Sequence, residues 1–289
     1  MLAAVMLQFV LPPSVYAQTA AEQFKLGRAL MDSNKADAAV KAFEKAVAAD
    51  DKNSEYHLWL GNAIGTVAQN ASVLRQPFLA RRVKAEFERA VELDAKSIGA
   101  REGLISYYIH APGVMGGSVA KAREQADAIA LINPMRGHFA RGNIAADQKD
   151  TATVRKELRA AADESPDSLV AVTSYANNLA NAGHVDEAFA QIDIFLTRHP
   201  GDMLGTFWIG RLADATGKQL DRGEKALRTV LESPNLTTGP NMPALFAIHF
   251  RLGDIAAKRG DKATARKEYE KSIELNPKFE GAKKALKAL

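Results

Sequence analysis

Catalysis needs nucleophiles, acids and bases held at short, fixed spacings. The chain has 289 residues and no cysteine. That removes thiol nucleophiles, thiolate metal sites, disulfides and lipid-modified cysteines. Six histidines are present, His57, His110, His138, His184, His199 and His249. No two stand three or four residues apart, and none begins an H-E-x-x-H zinc helix. A G-x-S-x-G serine elbow is absent. Acidic pairs such as Glu88 and Glu92 sit one helical turn apart, as on a solvated face. No catalytic residue, metal or cofactor is therefore expected, and the chain reads as non-enzymatic.

Two clusters remain. The run from Pro112 to Ser118 reads Pro-Gly-Val-Met-Gly-Gly-Ser and leads into a helical pattern starting near Val119. Glycines ahead of a helix can aim backbone N–H groups at an anion. Gly113, Gly116, Gly117 and Ser118, with His110 beside them, are thus candidate contacts for a partner or small ligand. The loop lacks the Gly-Lys-Ser/Thr ending of a phosphate-binding loop. Ser118 also suits a helix N-cap, which would make the loop a shaped insertion. Arg81, Arg82 and Lys84 form a small basic cluster, fit for an acidic partner or lipid, or simply a solvated helix face.

These groups need elements to position them. The chain is 47% hydrophobic, 25% charged and only 7% aromatic, the balance of a globular protein. A net charge of +4 is too mild to argue for nucleic acid. Residues 1–17, MLAAVMLQFVLPPSVYA, carry no charge. Their apolar run from Leu2 to Leu11 has the length of a signal-peptide core and ends at Pro12-Pro13, with Ala17 at a small-x-small cleavage site. A span needs about 20 apolar residues. The expectation is export, to the periplasm of a Gram-negative bacterium, with no membrane span after cleavage. No Lys or Arg precedes the run, so a retained anchor and a cytoplasmic location are the alternatives.

The rest repeats. Prolines at 134, 166, 200, 234 and 277 are spaced by 32, 34, 34 and 43 residues. Glycines at 27, 61, 142, 210 and 253 each precede an alanine-rich or aromatic-bearing helical pattern. Ala39, Phe43 and Ala46 share one helix face, as do Leu26 and Leu30. Gly183, Gly217 and Gly260 suit helix ends. Gly27, Gly61 and Gly253 lie inside helices, where each costs about 1 kcal/mol against alanine, a cost that close helix contact would offset.

The set Leu252-Gly253, Ala256, Gly260, Ala265, Tyr269 and Pro277 resembles a tetratricopeptide repeat (TPR). So does Leu26-Gly27, Leu30, Ala39, Phe43 and Ala46. Seven copies start near residues 20, 54, 98, 135, 169, 203 and 246, interrupted around Thr66–Pro77, Ala111–Ser118 and Thr237–Pro243. Residues 278–289, with Phe279, Ala282, Leu286 and Leu289, read as a capping helix. The resemblance implies an all-α fold, a single TPR superhelix (α-solenoid) over 18–289 with about seven helix pairs, a cap and a concave groove.

In such proteins the ninth place of each repeat faces the groove. Here that row is Arg28, Asn62, Ser106, Asn143, Asn177, Arg211 and Asp254. Asparagine there can donate to and accept from an extended peptide backbone, or bond a neighbouring helix. The fifth place holds Phe24, Leu58, Glu102, Phe139, Thr173, Phe207 and Phe250. Its phenylalanines either form pockets for ligand side chains or pack inside a tightly curved array. The family's clamp for a C-terminal carboxylate needs lysine at the fifth place. Leu58 and Phe139 stand there beside Asn62 and Asn143, which disfavours that ligand. His57, His138 and His249 fall at the fourth place, facing the preceding helix. The resemblance implies a scaffold binding a protein or peptide. An assembly subunit of an envelope complex, self-associating as a homo-oligomer, is the alternative, and a small-ligand site at the 111–118 loop is a further one.

Overall fold

The computed structural model describes residues 13–233 and 243–289. Most of the expected signal segment 1–17 and of the insertion Thr237–Pro243 lies outside them. Fifteen α-helices and one short 3-10 turn account for the regular structure of the described residues, with no strand among them. They are α1 (Pro13–Asp32), α2 (Ala36–Ala49), α3 (Ser54–Gln69), α4 (Gln76–Leu93), α5 (Ile98–His110), α6 (Val119–Ile132) and α7 (Pro134–Asp147). After these come α8 (Thr151–Glu164), α9 (Leu169–Asn181), α10 (Val185–Arg198), α11 (Met203–Thr216), α12 (Leu220–Leu231), α13 (Leu245–Lys258), α14 (Lys262–Leu275) and α15 (Glu280–Ala288). Seven helix pairs and a terminal cap result. The chain forms two compact units, one ending at Asp150 and one beginning at Thr151.

Local chemistry sets the helix limits. Asn53, Ser118, Ser168, Asp202 and Asp261 each accept a backbone N–H at a helix start. Pro134 opens α7, where its missing N–H costs nothing. The tight turns inside pairs need one left-handed residue. Gly183 (φ 88°) and Gly260 (φ 82°) fill that place in α9/α10 and α13/α14, but Asn34 (φ 59°) and Lys149 (φ 60°) fill it elsewhere.

In the first unit the first helices touch one another, α1 with α3, α3 with α5 and α5 with α7, and so form one layer. Its core gathers Phe43, Leu60, Ile64, Phe87, Leu104 and Ile129. In the second unit α9 touches α11 and α11 touches α13, around a core with Phe189, Ile192, Leu212, Leu227 and Ile255. Phe279, at the N-terminus of α15, lies 5.0 Å from Phe246 and from Phe250, while Leu286 and Leu289 close the end of the stack.

The interior glycines are explained by contact. A Cβ on Gly27 would meet the Phe43 ring at 2.5 Å, one on Gly210 would meet Leu227 at 2.3 Å, and one on Gly253 would meet Tyr269 at 2.5 Å. Each glycine lets the second helix press a large side chain against the backbone of the first. Leu26, expected on the buried face with Leu30, is 48% exposed. The neighbouring glycine takes the contact that a leucine would have blocked.

The first interruption also differs from expectation. Half of Thr66–Pro77 is helical, and only residues 70–75 lie between α3 and α4. The extra residues lengthen α4 to 18 residues against 14 in α2, and α3 runs on to Gln69 after Gly61. Replacing Gly253 with alanine should destabilise the protein by about 1–3 kcal/mol, through overpacking against Tyr269. Helix propensity alone favours alanine by about 1 kcal/mol, so urea denaturation gives opposite signs for the two effects.

Candidate functional site

The ninth-place residues divide by unit. In the first, the Arg28 guanidinium lies 3.8 Å over the Trp59 ring. Asn62 and Ser106 line a cleft of about 960 Å³. Ser106 and Asn143 line an adjoining one of about 520 Å³, and His110 borders both. Three expected site residues therefore share one open surface on the layer of first helices.

In the second unit two of the three row members, Arg211 and Asp254, are engaged within the protein. Asp254 accepts the Tyr269 hydroxyl at 2.7 Å. Burial pushes the Asp254 carboxyl above its usual range; the Tyr269 bond opposes this and the nearby Asp214 adds to it. Burial and the bond to Asp254 push the Tyr269 hydroxyl well above its ordinary value. Asp214, buried on α11, pairs at 2.6 Å with both Arg251 and Lys258 of α13. Arg211 stacks 4.1 Å over Trp208, and burial, then repulsion by Arg251, lowers its pKa. Asn177 is half-buried.

The aromatic row serves packing. Phe24 sits 4.9 Å from Tyr56 and 5.7 Å from Phe43. Phe207 is only 9% exposed within the core. Phe250 stacks on Tyr269 and on Phe279 of the cap. These three are corrected from ligand pockets to helix contacts. A ring between two helices removes more apolar surface from water than one left at a groove. Phe139 is half-buried.

The glycine loop is also corrected as an anion cradle. The N–H groups of Met115, Gly116, Gly117 and Ser118 are all donated within the chain, to Pro112, Gly113, Pro112 and Tyr108 carbonyls. The Tyr107 hydroxyl donates to the Met115 carbonyl. Ser118 caps α6 through the Lys121 N–H. A Cβ at Gly117 would lie 1.8 Å from the Ala111 carbonyl oxygen, so this glycine shapes the loop. His110 Nδ1 donates to the Ser106 carbonyl at 2.8 Å, and its Nε2 lies 3.9 Å from Asp147.

The remaining polar candidates are structural. His57 is buried, with Nδ1 2.7 Å from Glu86 and Nε2 3.1 Å from the Asp51 carbonyl. His249 meets Glu268 at 2.7 Å. Arg82 pairs with Glu44 and Lys84 with Glu88, so two of the three members of the basic cluster are held in ion pairs. Among the described residues no three His, Asp or Glu gather to hold a metal.

The larger cleft contains residues that repeat positions do not flag. Its floor is Phe87, whose ring lies where a Cβ on Gly61 or Gly103 would meet it at 2.7 or 2.5 Å. Trp59 and Val83 extend the floor, while Val73, Pro77, Pro112 and Met115 come from the two interruptions. Next in sequence to these lining residues are the exposed Leu74, Phe78 and Val114, at 84%, 72% and 98%. The sequence signal was available: Val73 and Leu74 are apolar residues in an interruption, and Phe78 directly follows it.

Within each unit the stacking of helix pairs is that of an α-solenoid. Residues 24–64 and 246–279 match family models described as tetratricopeptide repeat. A search of curated proteins finds no match. The crystal structure of a tetratricopeptide repeat protein from Parabacteroides merdae is similar, at 16% identity and TM-score 0.52, covering 93% of this chain and 98% of that one. A chain of the APC/C hetero-tetramer Cut9–Hcn1 is similar at 12% identity and TM-score 0.50, covering 95% of this chain and 47% of that one. At these identities the likeness concerns the fold. The chain thus carries tetratricopeptide repeats at residues 24–64 and 246–279. Such proteins commonly mediate protein–protein interactions and are typically scaffolds rather than enzymes. No described helix is long and apolar enough to cross a membrane.

Replacing Asp254 with asparagine tests whether that position is structural. The buried carboxyl binds its proton more tightly folded than unfolded. Wild-type stability should therefore fall as pH rises from the unfolded value of about 3.9 through the raised folded value. The substituted amide keeps an acceptor for Tyr269 and has no such titration. Urea unfolding between about pH 4 and 7 should show a shallower loss for Asp254→Asn, and parallel curves would refute the assignment.

Proposed function

We propose that the protein is a non-enzymatic scaffold that captures a peptide segment of a partner protein on the first-helix layer of its first unit. One observation carries the reading: Asn62, Ser106 and Asn143 border two adjoining open clefts, while Arg211 and Asp254 in the second unit are engaged in stacking or hydrogen bonding. Amide and hydroxyl groups along an open trough match the alternating donors and acceptors of an extended backbone. The uncharged apolar start of the chain, with Pro12-Pro13 and Ala17, supports export to the periplasm of a Gram-negative bacterium as part of this reading.

Peptides selected from a random display library supply the probe. Asn62→Ala combined with Asn143→Ala should weaken the selected peptides about tenfold or more, given about 1 kcal/mol per lost hydrogen bond. The melting temperature should stay almost unchanged, because Asn143 is exposed and Asn62 half-buried. A large loss of stability with unchanged binding would make the row structural.

A further inference from the structure

The two interruptions of the repeat meet at one place. Val73, Gln76 and Pro77 at the first interruption and Pro112 and Met115 at the second wall the same cleft. Its volume of about 960 Å³ is at the upper end of the range for a binding pocket. None of the twenty residues lining it is Asp, Glu, Lys or Arg. Leu74 and Val114, in the same interruptions, and Phe78, directly after the first, are large, apolar and exposed. Exposed apolar residues gathered in the segments that wall a cleft point to an interaction site.

Resting on the peptide-capture reading, we propose that this cleft is a specificity pocket for an uncharged, apolar segment of the partner polypeptide. Charge argues for it directly. A carboxylate or ammonium entering the cleft would leave water and meet no Arg, Lys, Asp or Glu among the lining residues. The polar groups that do line it are the amides of Asn62, Gln69 and Gln76, the hydroxyls of Thr66, Ser106 and Tyr107, and the His110 imidazole. These match peptide bonds, whereas a hydrocarbon chain would leave them without partners. The cleft also adjoins the row at Ser106 and His110, so one extended segment can reach both.

Trp59 lines the cleft and is one of two tryptophans, so a Trp208→Phe background makes its emission a direct reporter. The probe is a capped ten-residue peptide of Leu, Phe, Asn, Ser and Gly. It should shift Trp59 emission saturably. Replacing two of its leucines by Glu, or by Lys, should weaken binding about tenfold or more in both cases. Gly65→Leu should fill the cleft, since a Cβ there meets only Val83, at 4.0 Å; circular dichroism checks its fold. Val114→Asp, at a fully solvated rim position, should weaken binding without touching the core.

Equal binding of charged and uncharged peptides overturns the proposal. So does insensitivity to both Gly65→Leu and Val114→Asp. A saturable Trp59 shift with decanoic acid but none with the peptide assigns the cleft to an acyl chain and overturns it too. Peptide binding that responds to Asn62→Ala and Asn143→Ala, yet not to these two variants, refutes the pocket alone. Failure of every peptide, selected or designed, refutes peptide capture as well.

Discussion

The structure depends on how closely two helices of a pair can approach. Where the first helix has glycine, the second sets a phenylalanine, tyrosine or leucine directly on its backbone, as at Gly27 with Phe43 and Gly253 with Tyr269. Full burial of such a side chain is worth about 1.5–3 kcal/mol, more than the roughly 1 kcal/mol that glycine costs a helix. A single pair cannot shield the remaining apolar face, so pairs stack and the first helices of each unit form a layer.

The same contact makes the candidate site. Phe87 is pressed between Gly61 of its own pair and Gly103 of the next. Its ring is thereby fixed as a floor shared by two repeats. The interruptions then raise walls around it. The end of α3 and the start of α4 carry one wall, and the turn after α5 supplies the other. The turn is held by its own backbone bonds and by the Tyr107 hydroxyl. It is therefore a rigid border, with no N–H groups from Met115 to Ser118 left for an anion.

The two units use the same repeat positions differently. In the first, neutral Asn62, Ser106 and Asn143 border open clefts. In the second, Arg251, Lys258 and Asp214 form a partly buried charge cluster beside Asp254 and Tyr269. Breaking one member of such a cluster is costly because the remaining charge stays desolvated. That cost makes these residues poor candidates for ligand exchange and favours the first unit for binding.

The sequence by itself determined the all-helical fold, the seven pairs and the cap, because helical period, turn glycines and connector prolines act locally. Helices open at Ser54, Ile98, Leu169 and Met203. Asn34 and Lys149 show the limit of that reading, since their left-handed turns carry no glycine signal. The ninth-place row was legible as well, but not which members stay open. Whether Phe24, Phe207 and Phe250 meet a ligand or a neighbouring helix was decided only by packing. So was the apolar cleft. Its floor and walls come from Trp59, Phe87, Val73 and Met115, distant in sequence and without a shared period, and only the stacking of one pair on the next brings them to one place.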